Sequence, residues 1–169
     1  MKLNLKVPNI ALFNTAKALT VYDKLATKYV DAITSTFQAS IISKAPTGGS
    51  GRLKNSIKTK RKKYTGIVYP SVKYAEFVER GRRAGRMPPS KRLVNWLKRS
   101  RKGRNRFQAL KARYPRITYK SAAYLVARAI GKHGTRPTWF WSKGEAQALP
   151  VVNALKMSFY REYVKGLKK

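Results

Sequence analysis

The stretch TAKALTVYDKLATKYVDAITSTFQASIIS, residues 15–43, decides the fold at the start of this chain. Within it, large apolar side chains recur every four residues, at Leu25, Tyr29, Ile33, Phe37 and Ile41. At about 3.6 residues per turn, this spacing places them on one face of a helix. We therefore predict a long amphipathic helix from about Thr15 to Ser43. It ends before Pro46, because proline disfavours helical geometry in the residue that precedes it.

The residues before this helix differ in character. Residues 1–14 contain Pro8, which limits regular structure, and they show no helical period. We predict that they form an extended or irregular arm that docks on a neighbouring subunit.

Short segments rich in β-favouring residues follow the helix. A Gly-rich loop leads to Ser50, which is placed to cap a short helical turn over residues 51–56. Three β-favouring segments come next, separated by Thr65-Gly66 and by Pro70-Ser71: Ile57–Lys63, Gly66–Tyr69 and Val72–Val78. They predict a small antiparallel sheet.

Helical patterns fill most of the remaining chain. Pro88 and Pro89 introduce one helix, and a second runs from Tyr119 to Ile130 with Gly131 as its C-cap. Residues 98–116 are very basic and predict an exposed loop or a weak helix. Residues 135–141, which end in Trp139-Phe140-Trp141, predict a compact aromatic turn that closes the core beside a last helix; the alternative is a binding patch. The last helix begins near Ala146 or after Pro150 and ends near Val164.

These elements together predict an α+β fold, in which a long N-terminal helix and further helices pack around a small antiparallel β-sheet. We predict a single domain over residues 15–169, with a basic insertion at about residues 98–116.

The charge of the chain is its most unusual property. The 169 residues include 39 Lys or Arg and 6 Asp or Glu, a net charge of +33. Between Glu79 and Glu145 there are twenty basic residues and no acidic one. Because like charges destabilise a compact state, an anionic partner is expected, either nucleic acid or an acidic protein.

Two dense clusters are the candidates for contact with DNA or with an acidic partner. The first comprises Arg52, Lys54, Lys58, Lys60, Arg61, Lys62 and Lys63. The second comprises Arg99, Arg101, Lys102, Arg104 and Arg106. Such clusters attract phosphate without regard to base sequence, and Tyr64 and Phe107 beside them are candidates to stack on bases. The alternative is that these residues form solvated faces, or faces that meet an acidic protein.

Nothing in the composition favours catalysis, a metal or a cofactor. The chain has no Cys and one His, His133, which is more typical of a loop or cap than of a general base. Glu76 and Glu79 lie amid many Arg, which favours ion pairing over acid–base chemistry. The longest apolar runs fall short of the ~20 residues of a membrane-spanning helix. We expect a non-enzymatic protein that is made and used in a reducing cytoplasm or inside an assembly.

Three stretches, in this order and spacing, resemble the neck or tail-completion proteins of tailed bacteriophages. The family pattern A-P-x-D-T-G-x-L-R-x-S-I corresponds to residues 45–57, APTGGSGRLKNSI, which carry Gly-Ser-Gly and one extra loop residue. Y-A-x-x-V-E-x-G corresponds to residues 74–81, YAEFVERG, followed by Met87-Pro88. G-x-R-P-F corresponds to residues 134–138, with Thr138 in place of Phe.

The resemblance implies a structural virion protein without catalysis, located at the head–tail interface. It implies a homo-oligomeric ring, often of six copies, that meets the connector or adaptor and the tail-tube or tail-terminator proteins. The inter-subunit ion-pair candidates are then Glu76, Glu79, Arg82 and Arg83, while Gly81 and Gly85 would permit a loop to rearrange on docking.

The resemblance leaves the charge to be explained. A channel lined with many cations would hold DNA rather than let it slide, because each phosphate contact adds affinity. We therefore expect most of the charge to face acidic neighbouring proteins and part of it to lie near the DNA. The alternatives are a ribosomal or other RNA-binding protein, and a nucleoid-type protein that compacts DNA.

Overall fold

A computed structural model describes residues 1–6, 16–48 and 50–168 of the chain. The chain divides into two compact units. The first unit comprises Met1–Ala45, Ser56–Ser71 and Phe140–Lys169, and the second comprises Pro46–Asn55 and Val72–Trp139. The α+β prediction is confirmed, with a long N-terminal helix and a small antiparallel sheet.

Two long helices form the frame of the first unit. They are α1 (Ala16–Lys44) and α7 (Phe140–Lys168), which pack along much of their length. Glycines bring them close together at both ends: a Cβ on Gly144 would lie 2.5 Å from the Cα of Ile41, and one on Gly166 would lie 2.7 Å from Val21. The helices are therefore antiparallel. The apolar stripe of α1 is buried as predicted, at Ile33, Phe37 and Ile41.

A three-stranded antiparallel sheet packs on α1. Its strands are β1 (Leu3–Lys6), β2 (Ile57–Lys62) and β3 (Thr65–Pro70), in the order β1-β3-β2. The register pairs Leu3 with Val68 and Thr59 with Val68, so that these three side chains share one face of the sheet. Val68 is completely buried, and Gln38 of α1 donates a hydrogen bond to the Ile57 carbonyl at 2.9 Å. This face is therefore the one that meets α1.

In the second unit, every helix or strand assigned to the described residues is a helix. These helices are α2 (Arg52–Asn55), α3 (Ala75–Arg80), α4 (Ser90–Arg99), α5 (Arg101–Arg113) and α6 (Tyr119–His133). Its apolar cluster is built by α4, α5 and α6 from Leu97, Phe107, Ala122, Ala123 and Val126.

Ser100 joins α4 to α5 in a single-residue turn. Its hydroxyl oxygen accepts a hydrogen bond from the Gly103 amide at 2.8 Å, which caps α5. A Cβ on Gly103 would overlap the Trp96 carbonyl oxygen and lie 2.7 Å from the Ser100 hydroxyl. The abrupt change of direction therefore requires glycine at this position.

Two predicted segments take a different form. The predicted strand Val72–Val78 is wrong, because these residues lead into α3; the buried side chains there, Ala75 and Glu79, have the four-residue spacing of a helix. The loop prediction for residues 98–116 is also wrong, and its helical alternative is right. The inner face of α5 is formed by only three residues, Gly103, Phe107 and Leu110. So few positions give residues 98–116 only a weak helical period in the sequence.

The boundaries of the last two helices also differ from the prediction. Helix α6 continues to His133, and its C-terminal glycine is Gly134, at a φ of 72°, rather than Gly131. Helix α7 begins at Phe140 and runs through Pro150. Phe140 and Trp141 close the core as predicted, since both are buried, but they form the first turn of α7 rather than a separate aromatic turn.

The predicted N-terminal arm is only partly described. Leu3–Lys6 forms strand β1 of the protein's own sheet, whereas residues 7–14 lie outside the described residues. Docking of the arm on a neighbour stays a prediction. Within the described part of the chain, no helix combines the length and the apolar character needed to cross a membrane.

Candidate interaction surfaces

The outer face of the sheet, turned away from α1, carries a row of lysines. Lys58, Lys60 and Lys62 alternate along β2 and are exposed. Their cross-strand partners on β3 are Tyr69, Ile67 and Thr65. At about 3.3 Å per residue the Cα atoms of these lysines repeat every ~6.6 Å. The row therefore presents regularly spaced positive charge beside a few half-buried apolar groups.

The other two cations of the β2 region turn to α1. Arg61 lies 3.4 Å from the Asp31 carboxylate and donates a hydrogen bond to the Ser35 hydroxyl at 2.8 Å. Lys63, just after the strand, pairs with the Asp23 carboxylate. These two candidates therefore hold the sheet edge against the helix, and they face away from the lysine row.

Tyr64 completes the pairing at Asp23. Its hydroxyl donates to the same carboxylate, and its ring lies 6.1 Å from that of Tyr22. Hydrogen bonds from Lys63, and then from Tyr64, lower the pKa of Asp23 below its ordinary value of 3.8. The hydrogen bond to Asp23 raises the pKa of Lys63. Tyr64 is thus held by the fold, although its ring is still 38% exposed.

Arg52 and Lys54 belong to the second unit, on the short helix α2. The sequence groups them with the lysines of β2, but the structure places Arg52 at a cleft of its own unit. The cleft has a volume of about 210 Å³, and Arg52 shares its lining with Lys102 of α5 and with Trp96. One residue from each predicted cluster therefore meets at this cleft.

The second cluster lies on α5 and at the end of α4. Arg101, Lys102, Arg104 and Arg106 are exposed on α5, and Arg99 is the last residue of α4. Arg104 donates to the Arg99 carbonyl at 2.8 Å. Two further exposed cations on the same helix, Lys111 and Arg113, fell outside the predicted cluster. The spacing of Gly103, Phe107 and Leu110 is the signal in the sequence that indicates a helix here. A helix over this segment would have placed Lys111 and Arg113 on the same element as the predicted cations.

Phe107 is not available to stack on bases. It is 7% exposed, and its ring stacks on that of Tyr119 at 3.9 Å between centroids and an angle of 11°. The prediction of base stacking by Phe107 is therefore wrong. Its place is in the apolar cluster that holds α5 to the rest of its unit.

The candidates for inter-subunit ion pairs occupy different environments. Glu76 is exposed and lies 3.8 Å from Arg80 on the same helix, whereas Glu79 is buried. Arg82 is half-buried and donates to the Arg86 carbonyl, and Arg83 is exposed. Pairing across subunits stays a prediction for all four residues, and Glu79 is the one that is buried within its own chain.

Two of the motifs meet in space through their glycines. The segment after α3 forms a bridge in which the Arg82 amide donates to the Thr135 carbonyl at 3.2 Å and the Thr135 amide donates to the Arg82 carbonyl at 2.8 Å. Gly81 and Gly134 flank this bridge with φ of 77° and 72°. A Cβ on Gly134 would overlap the Arg82 carbonyl oxygen. Position 134 therefore requires glycine for two reasons: its φ is positive, and the Arg82 carbonyl leaves no space for a Cβ.

The long helix α7 exposes an apolar stripe that the sequence analysis did not identify. Leu149, Met157 and Val164 are 51%, 55% and 50% exposed. At 100° per residue they lie with Tyr160 within a sector of about 80°. Exposed apolar residues grouped on one side of a helix mark an interaction surface more often than an isolated apolar residue does.

The electrostatic character of the second unit is almost entirely positive. It contains 22 Lys or Arg, and its two acidic residues, Glu76 and Glu79, both lie on α3. The unit therefore cannot neutralise its own charge, and α4, α5 and α6 have no acidic residue.

Among the described residues, no group of three or more His, Cys, Asp or Glu is placed to hold a metal ion.

One comparison with known proteins covers two of the three motif stretches, residues 45–57 and 74–81. Residues 13–81 match the family model described as "Bacteriophage HK97-gp10, putative tail-component". The matched segment covers α1, α2, α3 and the β2–β3 hairpin. Neither a curated protein nor a solved structure matches the chain. The family that this segment matches is one of phage tail components, and the segment comprises less than half of the chain. Over residues 13–81, the chain thus matches the HK97-gp10-like family of bacteriophage tail components, as the resemblance of its motifs predicted.

Proposed function

We propose that this protein is a non-catalytic ring subunit of the phage neck, a tail-completion or head–tail joining protein that links the connector to the tail. The observation that carries the proposal is the match of residues 13–81 to a phage tail component, together with the order of the three neck-protein motifs. Six copies are the favoured ring size, since the resembling family often forms hexamers.

The exposed stripe on α7 supports subunit association. A ring subunit needs apolar surface beyond its own core, and Leu149, Met157 and Val164 provide it on one side of a 29-residue helix. The neighbouring Arg161 and Lys165 are exposed. An interface of this composition, with an apolar centre and a charged rim, is typical of protein–protein contacts.

The charge distribution supports contact with acidic partners. The second unit presents cations from α4 and α6 without an acidic residue on those helices. Connector or tail proteins with acidic surfaces would relieve the self-repulsion of this unit, and they would associate faster because of electrostatic steering.

The decisive experiment locates the chain in the virion. Virions would be reconstructed by electron cryo-microscopy, with an antibody fragment against this chain as a marker. We expect the marker in one layer between head and tail. Its absence from mature virions, or full infectivity of virions assembled without the chain, would end the proposal.

Native mass spectrometry of the purified chain tests the ring. We expect a closed oligomer that the triple variant Leu149→Ser, Met157→Ser and Val164→Ser converts to monomer. The matched control is Leu19→Ser, because Leu19 is equally exposed, at 57%, but lies on α1. A monomer that carries bound RNA would instead favour an RNA-binding protein.

A further inference from the structure

Helix α5 is anchored on one side and open on the other. Phe107 and Gly103 are buried and Leu110 is half-buried, which fixes the inner face against α4 and α6. The other positions of α5 are exposed. The helix is therefore held at a defined orientation and presents its outer surface without any rearrangement.

Five of the six exposed cations of α5 form two rows on opposite flanks. At 100° per residue, Lys102, Arg106 and Arg113 fall within about 40° of one another. Arg104 and Lys111 fall within about 20° of each other, and the two rows lie ~160° apart around the helix axis. The guanidinium of Arg113 lies 5.7 Å from the centre of the Tyr114 ring. Arg104 and Arg113 keep further N–H donors for an outside acceptor, because a guanidinium has five.

The surface between the two rows carries small and polar side chains and one further cation. It is formed by Arg101 in the first turn and by Asn105, Gln108, Ala109 and Ala112, all exposed. A protein partner is usually held by buried aromatic or large aliphatic anchors, and this strip contains none. Asn and Gln are instead the amide side chains that meet base edges.

These features match the dimensions of a double helix. An α-helix with its side chains is about 10–12 Å wide, and the major groove of B-form DNA is about 12 Å wide with a phosphate backbone on each side. Thirteen residues of α5 extend over about 20 Å. We propose that α5 lies in the major groove of duplex DNA, with its two rows of cations on the two phosphate backbones.

The inference does not depend on the neck assignment, since it follows from α5 alone. It also separates DNA from RNA. The major groove of A-form RNA is deep and too narrow for side chains to read, so an RNA duplex would not admit the helix. The contact is expected to be largely independent of base sequence, because phosphates supply most of its affinity.

The test measures binding of the full chain to a labelled DNA duplex of about 20 base pairs, two helical turns, by fluorescence anisotropy across a salt series. The variant replaces one row, as Lys102→Gln, Arg106→Gln and Arg113→Gln. Gln has a helix propensity close to that of Lys and Arg, and circular dichroism verifies that α5 is retained. The matched control is Lys58→Gln, Lys60→Gln and Lys62→Gln, which removes the same charge from the outer face of the sheet.

We expect the slope of log K against log salt to become shallower by about 2.7 in the α5 variant, at ~0.9 for each lost phosphate contact. Between about 50 and about 200 mM salt, the wild type should then lose ~40-fold more affinity than this variant loses. The lysine-row control should keep the wild-type slope, and an RNA duplex of equal length should bind at least ~10-fold more weakly.

Three results would overturn the proposal. Equal slope changes in the two triple variants would mean that DNA is held by diffuse charge. Equal affinity for DNA and RNA duplexes would exclude the major groove. Absence of duplex binding, with α5-dependent capture of a poly-glutamate peptide, would assign the helix to an acidic protein. None of these results bears on where the chain lies in the virion.

Discussion

The contact between Gly66 of β3 and Thr34 of α1 gives the sharpest test of how the first unit packs. A Cβ on Gly66 would overlap the Thr34 hydroxyl and lie 3.1 Å from the Thr34 Cβ. Thr34 is completely buried, and its hydroxyl donates to the Val30 carbonyl at 2.6 Å. Gly66→Ala must therefore push β3 away from α1 or break this hydrogen bond. We expect it to lower the free energy of unfolding by about 1–3 kcal/mol.

A second substitution should rescue the first. Thr34→Ala removes the hydroxyl and the methyl group that the new Cβ would meet, at a cost of about 1 kcal/mol for the lost hydrogen bond and buried methyl. In the double variant the overlap with the hydroxyl is gone, and only the Cβ of residue 34, at 3.1 Å, remains close to the new Cβ. We expect its destabilisation to be smaller than the sum of the single effects by about 1–2 kcal/mol, which is the coupling typical of residues in contact.

Urea denaturation followed by far-ultraviolet circular dichroism measures all four proteins. For a chain of this length, each kcal/mol corresponds to about 2–4 °C in Tm. The control is Gly48→Ala, since a Cβ on Gly48 has no neighbour within 4 Å. Additive effects of the two substitutions, within ~0.5 kcal/mol, would show that β3 does not approach α1 at this point and would refute the reasoning.

Three further predictions concern other parts of the molecule. Gly134→Ala should destabilise the second unit by about 1–3 kcal/mol, because the residue has a φ of 72° and the new Cβ overlaps the Arg82 carbonyl; a thermal melt no different from that of Gly48→Ala would contradict this. Phe107→Ala should cost about 3–5 kcal/mol in chemical denaturation, since it empties a buried stacked site, and a cost below ~1 kcal/mol would argue against burial. Asp23→Asn should lower Tm at neutral pH. The pKa of Asp23 is lowered in the fold, so the stability that its carboxylate contributes is present at pH values above its ordinary pKa of 3.8 and is lost as the pH falls through the pKa of the folded state. The difference in Tm between Asp23→Asn and wild type should therefore shrink in acid. A difference that is constant with pH would exclude the pairing with Lys63.

Local patterns were sufficient where they were unambiguous. The four-residue spacing from Leu25 to Ile41 predicted α1, and the β-favouring residues on either side of Thr65-Gly66 predicted the β2–β3 hairpin. Residue type alone failed at Val72–Val78, where β-favouring residues predicted a strand. Residues 75–80 form α3 instead, and Ala75 and Glu79, four positions apart, are its buried residues.

The candidate surfaces show the same division. The sequence identified the basic residues of both clusters, but it could not tell which of them the fold would occupy. Arg61 and Lys63 are engaged by Asp31 and Asp23, more than 25 positions earlier in the chain, while Lys60 stays exposed. The same limitation applies to the apolar stripe of α7, because exposure depends on which side of a helix another element covers.

By itself, the sequence determined the long first helix, the α+β class, the excess of positive charge and the motifs shared with phage tail components. These properties depend on residue type and on spacing within a few turns of chain. Only the tertiary structure decided that α5 carries cations on two flanks, that Phe107 is buried, and that Gly81 and Gly134 meet at one bridge. The physical reason is that these outcomes depend on contacts between residues far apart in sequence, which local spacing does not encode.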